Sequence, residues 1–302
     1  MSERFADAAR SRGLLIQTPI ADGVVHRVRT SDKSRSLNGA YVLFANGRGW
    51  FQNHADGMGR QEYAPESKGG LTAAERYEAR VRVAEERKRF QEARTEEYRA
   101  AALEAKGLFG RGLMVKAHGY LSAKGVLPHG LRVLDGALLV PVRDANGNWQ
   151  SLQRIFSNGS KTFLKGGRLE GGMFVIGNIY PEGAALVAEG YSTGATIYEA
   201  TGCATVVAFN CGNLTKVARS LRKRYPKLKI IICADDDRNT RGNPGLTSAS
   251  EAARAVGGYL AKPNVKKGSD FNDMCAELGM QEVRRELMAV VKGCMMAPDR
   301  GK

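Results

Sequence analysis

From residue 185 onward the chain alternates short apolar runs with helix-forming stretches, and this alternation restricts the fold more than any other feature. The apolar runs cover 185–188, 205–209, 230–234 and, more weakly, 258–261. Helical patterns fill 193–200, 214–225 and 246–256 between them. Runs of four or five apolar residues, separated by helices, fit strands buried on both faces. That implies an α/β fold built on a parallel sheet with helices on both sides. Crossovers in such a sheet are right-handed, and ligands gather at the carboxyl ends of its strands.

Two of those strand ends are acidic. Ala185-Leu186-Val187-Ala188 stops on Glu189-Gly190, and Ile230-Ile231-Ile232-Cys233-Ala234 stops on Asp235-Asp236-Asp237. Adjacent carboxylates repel: two unit charges ~4 Å apart cost roughly 4 kcal/mol at an effective dielectric of about 20. A hard divalent cation offsets that repulsion and prefers carboxylate oxygen. If extended backbone persists past Ala234, Asp235 and Asp237 point to one side and Asp236 to the other. Asp235 and Asp237 are then the expected ligands beside Glu189, with Asp236 as a neighbour. Gly190 would leave room for backbone or substrate next to Glu189. A third acidic cluster, Asp270-Phe271-Asn272-Asp273, follows the basic turn Lys266-Lys267-Gly268 and adds Asp270 and Asp273 as candidate ligands. Acids that merely cap helix N-termini are the structural alternative.

The chain has 302 residues and a formal net charge of +15, so an acidic site inside it is conspicuous. The surplus of lysine and arginine suits a polyanion, with nucleic acid first. No stretch approaches the ~20 apolar residues of a membrane helix. The N-terminus lacks an export signal's basic-then-apolar pattern. A cytoplasmic protein with no membrane partner is expected. Cys203, Cys211, Cys233, Cys275 and Cys294 form no C-x-x-C pair, so no structural zinc is expected, and they read as small hydrophobes in a reducing compartment. No P-loop signature is present.

Upstream, 40–44 reads as a strand, Asn46-Gly47-Arg48-Gly49 as a turn, and Trp50-Phe51 as the start of a return strand. Ser67-Lys68-Gly69-Gly70 reads as a linker and Thr72-Ala73-Ala74-Glu75 as a capping box. An exposed helix rich in Ala, Glu and Arg follows, held by ion pairs three or four residues apart and ending at Lys106-Gly107. Residues 119–125 read as a short helix stopped by Gly125. Residues 137–144 and 149–156 read as strands joined by an Asn-Gly turn.

The acidic pattern resembles the Toprim domain, shared by DnaG-type primases, type IA and II topoisomerases and some nucleases. That family places Glu-Gly after its first strand and Asp-x-Asp after its third, here Glu189-Gly190 and Asp235-Asp236-Asp237. In primases a further acidic element follows, where Asp270 and Asp273 stand. Gly119-Tyr120-Leu121 with Lys124-Gly125 is similar to the element opening the primase polymerase core, and Leu139 to Asp144 with Gln153-Arg154 is similar to its next segment. Residues 18–55 resemble the amino-terminal region of plasmid and phage primase-like proteins, which stands where replicative primases carry a zinc domain.

The resemblance implies a small N-terminal α+β unit (1–70), a charged linker helix (71–108), a basic α+β subdomain (109–178), and a Toprim catalytic domain with C-terminal helices (179–302). It also implies a DNA primase, a nucleotidyltransferase joining ribonucleoside triphosphates on single-stranded DNA. Mg2+ or Mn2+, as two ions, would sit on Glu189, Asp235 and Asp237, with Asp270 and Asp273 beside them. Arg143, Arg154, Lys161, Lys165 and Arg168 would hold nucleotide and template. A replicative helicase or single-strand-binding protein would be a further partner. The rival readings are a Toprim nuclease and a catalytically idle nucleic-acid-binding protein.

Overall fold

The computed structural model describes residues 2–65 and 73–297. The chain divides into two compact units, Met1–Phe90 and Gln91–Lys302. The first holds α1 (Ser2–Ser11) and an antiparallel sheet of β1 (His26–Val28), β2 (Gly39–Leu43), β3 (Gly49–Asn53) and β4 (Gln61–Tyr63), in that spatial order. The hairpin expected at residues 46–49 joins β2 to β3, with Gly47 in the left-handed region at φ 77°. Phe5 of α1 fills the core against Tyr41, Phe51 and Tyr63. The linker expected at 67–70 and the Thr72 cap of the long helix lie outside the described residues.

Helix α2 (Ala73–Arg111) begins in the first unit and ends in the second. It does not stop at Lys106-Gly107 as its sequence suggests. Ala105 and Leu108 are buried against Leu139 and Leu152, and that packing carries the helix through Gly107 and Gly110. The two glycines cost about 1 kcal/mol each relative to alanine, less than burying a leucine returns.

The second unit then forms a five-stranded antiparallel sheet: β5 (Leu113–Met114), β6 (Arg132–Leu134), β7 (Ala137–Arg143), β8 (Trp149–Ile155) and β9 (Lys161–Phe163), with α3 (Gly119–Lys124) inserted after β5. Gly125, at φ 63°, closes α3 with a left-handed cap, as read from the sequence. Next come β10 (Phe174–Ile176), β11 (Ala184–Ala188), α4 (Tyr191–Thr201), β12 (Ala204–Val207), α5 (Cys211–Arg224), β13 (Lys229–Cys233), α6 (Pro244–Ala255), β14 (Tyr259–Ala261), α7 (Phe271–Leu278) and α8 (Met280–Met296).

These last strands form a sheet in the order β10-β12-β11-β13-β14, parallel throughout except for β10, which pairs antiparallel with β12. Period-two alternation loads both faces. Ala185, Val187, Ile230 and Ile232 pack on α5 and α6, while Leu186, Ala188, Ile231 and Cys233 pack on α4, α7 and α8. A third core joins the two sheets of this unit: Leu138, Val140 and Ile155 meet Ile176, Tyr191 and Val207. Strand β12 ends at Val207, two residues short of the expected run, because Phe209 turns at φ 72°.

The strand order places the site. β12 lies on one side of β11 and β13 on the other. The chain thus changes direction of winding at β11, and a crevice opens at the carboxyl ends of β11 and β13. Val187 pairs with Ile232, so Glu189 follows β11 opposite Ala234, and Asp235 comes one residue later at the same edge of the sheet.

Candidate active site

A cleft of about 510 Å³ opens at this point, lined by Glu189, Asp235 and Asp270 on one side and by Tyr120, Lys124 and Lys161 from the preceding sheet region on the other. The loop residues Ser157, Asn158 and Gly159 and the start of α4 complete its walls.

The acids share one electrostatic environment. Burial, then Asp237, then Asp270 push the Glu189 carboxyl up to about 7, against a backbone hydrogen bond from Cys211. Burial and then the charges of Glu189, Asp270, Asp237 and Asp273 push Asp235 up to about 8. Glu189 Oε1 and Asp235 Oδ1 are buried without a hydrogen-bond partner. An unpartnered buried carboxylate oxygen costs its desolvation energy, about 1–3 kcal/mol or more. Among the described residues no three His, Cys, Asp or Glu side chains stand close enough to form a ready-made metal site. Two orphaned carboxylates nonetheless suit magnesium, which is commonly held by one or two protein carboxylates while water and phosphate fill its other positions. The residues present therefore fit a hard divalent cation.

The remaining candidate acids have hydrogen-bonding work of their own. Asp237 Oδ2 accepts from the Gly245 N–H at the start of α6 (3.2 Å). Only glycine fits at 245, since a Cβ there would lie 2.4 Å from the Asp235 carbonyl oxygen and 2.8 Å from Asp237 Oδ2. Asp270 caps α7: its Oδ1 accepts from the Asp273 N–H (2.8 Å), and its Oδ2 accepts from the Thr193 hydroxyl (3.0 Å). Asp273 Oδ2 accepts from the Ser269 N–H (2.9 Å) and does not line the cleft. Asp236 turns away from the cleft. It is nearly buried, accepts from Asn243 Nδ2 (2.7 Å) and pairs with Lys262 (3.3 Å) and Arg238 (3.7 Å). The Asn243 hydrogen bond, followed by the Lys262 interactions, holds its carboxyl below the usual range.

Of the five basic candidates, Lys161 lines the cleft. Its ammonium stands 5.6 Å from the centre of the Tyr120 ring. A Cβ built on Gly190 would lie 3.9 Å from the Lys161 Nζ, an ordinary contact, which places the lysine directly beside the start of α4. Lys161 pairs with Ile155 across β8 and β9 and shares its face, the one packed toward the parallel sheet. Arg154, one residue from Ile155, pairs with Leu139 on the opposite face, which packs on α2. Arg143 lies over the Trp149 ring, 4.5 Å from its centre, beside that same α2-facing core. Lys165 and Arg168 are exposed in the connection after β9, away from the cleft lining.

Sequence reasoning missed the residues that join the two walls. Asn272 Nδ2 donates to the Lys124 carbonyl (2.8 Å) and to Thr196 Oγ1 (2.9 Å). Glu199 accepts from the Leu127 N–H (2.8 Å) and contacts His129 Nε2 (2.6 Å). It also missed the N-terminus of α4, where Gly190 supplies no side-chain cap and Ser192 and Thr193 line the cleft. Unsatisfied N–H groups at a helix start favour an anion.

A family model described as Toprim domain matches residues 184–281. Two curated relatives from Escherichia coli, both named DNA primase TraC, are 34% identical to this chain over 288 and 286 residues, 89% and 86% of it. The chain spans only 27% and 19% of their lengths. Among solved structures, the primase fragment of the bacteriophage T7 primase-helicase protein is similar over 59% of this chain and 79% of that one, with 19% identity and a TM-score of 0.42.

Proposed function

We propose that this chain, which carries a Toprim domain over residues 184–281, is the catalytic part of a DNA primase that synthesises short RNA on single-stranded DNA. One observation carries the reading: two buried, unpartnered carboxylate oxygens, on Glu189 and Asp235, face a lysine and an uncapped helix N-terminus across one cleft. The pairing of orphaned acids with anion-binding groups suits a triphosphate with its cations. The names of the two curated relatives support the same reading.

In the reaction, the 3′ oxygen of the growing strand forms a bond to the α-phosphorus of an incoming ribonucleotide. The bond from that phosphorus to its bridging oxygen breaks, pyrophosphate leaves, and the hydroxyl proton goes to solvent or a basic group. Glu189 and Asp235, with Asp270 and Asp237 close by, would hold Mg2+ or Mn2+. Such a cation, when bound, lowers the hydroxyl's pKa and offsets charge on the phosphates. Lys161 and the N–H groups opening α4 bind the negative phosphate tail. Tyr120, buried beneath Lys161, fixes where that ammonium reaches. Thr193 orients Asp270 through its hydroxyl. The chain's contribution is positioning and charge, with no covalent intermediate on the protein.

Incubation with single-stranded DNA, labelled ribonucleotides and Mg2+ tests the reading. Short RNA products that disappear in Asp235→Ala are expected. Cleaved DNA without synthesis would assign the same site to a nuclease, and DNA binding with neither activity would leave an idle binding protein.

A further inference from the structure

Three consecutive acids follow β13, and the proposed chemistry leaves the middle one without a task. Asp235 lines the cleft, whereas Asp236 turns away from it and is only 6% exposed. A carboxylate so far from water needs partners for both oxygens. Asp236 finds them on several segments at once. Its Oδ1 accepts from Asn243 Nδ2 (2.7 Å), at the cap of α6. Its Oδ2 stands 3.3 Å from Lys262 Nζ, just past β14, and 3.7 Å from Arg238 Nε. Its own N–H donates to the Ser269 carbonyl (2.6 Å), in the peptide that joins Ser269 to Asp270.

Each of those segments holds one of the other acids. Asn243 takes a left-handed backbone at φ 42°, and its side chain spans the turn: Nδ2 donates to Asp236 while Oδ1 accepts from the Leu246 N–H (3.4 Å). Two residues on, the Gly245 N–H donates to Asp237 Oδ2 (3.2 Å), so the start of α6 grips Asp236 and Asp237 together. Lys262 follows Ala261, whose carbonyl accepts from the Ala234 N–H (2.9 Å), one residue before Asp235. Arg238 reaches the turn before α7, donating to the Val265 carbonyl (2.7 Å). In that turn the Ser269 N–H donates to Asp273 Oδ2 (2.9 Å). The bonds around Asp236 therefore run to Asp235 and Asp237 on its own segment and to Asp270 and Asp273 on the neighbouring one.

We propose that Asp236 is the positioning residue of the acidic site. Through Asn243, Lys262 and Ser269 it fixes where Asp235, Asp237 and Asp270 stand relative to one another, and it touches neither cation nor substrate itself. The inference rests on the reading of Glu189 and Asp235 as metal ligands. An asparagine at 236 keeps the shape but sets a neutral amide against two cations, so the clamp loosens. Removing a group that orients metal ligands in this way typically costs about 10–100-fold in metal affinity.

The test is Mn2+ binding to the full chain by calorimetry, with melting in EDTA and ribonucleotide incorporation measured on the same samples. Asp236→Asn should melt cooperatively in EDTA yet bind Mn2+ about tenfold or more weakly. Raising Mn2+ should restore its incorporation, because every carboxylate proposed to hold the cation is still present. Asn243→Ala removes one bond and leaves both cations beside Asp236; it should weaken Mn2+ binding in the same direction, and it carries the test if Asp236→Asn does not fold. The double variant should lose less than the product of the two single losses, because both changes break the same hydrogen bond. Unchanged Mn2+ affinity in the folded variants overturns the proposal, as do fully multiplicative losses or incorporation that excess Mn2+ does not restore. A wild type that binds no Mn2+ overturns both this proposal and the metal reading. A wild type that binds Mn2+ with this dependence on Asp236 yet makes no RNA keeps the positioning role and removes the primase reading. A wild type that makes RNA, beside an Asp236→Asn variant of undiminished Mn2+ affinity, does the reverse.

Discussion

Replacing Asp235 by asparagine should stabilise the metal-free protein while removing a carboxylate from the proposed metal site. The Asp235 carboxyl rises from an ordinary 3.8 to about 8 in the folded chain. Between those values the folded state holds more protons than the unfolded one, so stability falls as pH rises. At 1.36 kcal/mol per unit, keeping Asp235 protonated at pH 7 while the unfolded chain ionises costs on the order of 4 kcal/mol. Glu189 shares that cost, because two acids this close do not both ionise freely, and asparagine leaves Glu189 in place. A gain of about 1–3 kcal/mol is therefore expected, or about 2–10 °C in melting temperature for a unit of this size. An asparagine amide could also donate to Glu189, filling a partner that Glu189 Oε1 now lacks. The assay is thermal melting in EDTA at pH 5, 7 and 8. The variant should melt above wild type, with a gap that widens with pH. Added Mg2+ should raise the wild type and leave the variant where it was. A variant that melts below wild type at pH 8 in EDTA would refute the reasoning, since the buried carboxyl would then not be a liability.

Three other outcomes follow from the same geometry. Because Glu189 rises to about 7 and Asp235 to about 8, metal binding must expel protons; affinity should increase from pH 6 to pH 8, and calorimetry in buffers of different ionisation enthalpy should detect proton release, whereas a pH-independent affinity would contradict it. Gly245→Ala forces a Cβ against the Asp235 carbonyl and should lower stability by about 1–3 kcal/mol with loss of synthesis, read by melting and by product yield. Lys161→Ala should reduce kcat/KM for nucleotide by about 10–100-fold, while Arg154→Ala, on the far face of the sheet, should stay near wild type; equal losses would mean that both faces meet substrate.

The parallel sheet was legible because its strands are buried on both sides and leave uninterrupted apolar runs such as 230–234. The acids at their ends were legible because nothing but a strand end explains an apolar run stopping on charge. Their meeting at one sheet edge was legible from the same pattern, whereas the direct pairing of β11 with β13 that brings them together is a tertiary choice of strand order. β10 escaped notice: four apolar residues between glycines carry no periodicity, and the strand exists through pairing with β12. The basic residues show a sharper failure. Lys161 and Arg154 belong to one basic stretch in sequence, yet the pairing of Ile155 with Lys161 and of Leu139 with Arg154 sends them to opposite faces. Period-two alternation within 149–155 contained that signal. Asp270-x-x-Asp273 likewise carried a helix-capping pattern, and the Asp273 N–H donating to Asp270 fulfils it.

The central claim is that Glu189 and Asp235 serve phosphodiester synthesis. The most direct measurement follows a labelled ribonucleotide and end-labelled single-stranded DNA in one reaction, for wild type and Glu189→Gln in parallel. The account predicts short RNA from the wild type, intact DNA, and loss of RNA in the variant. Shortened DNA with no incorporated ribonucleotide, or undiminished synthesis by Glu189→Gln, would contradict it.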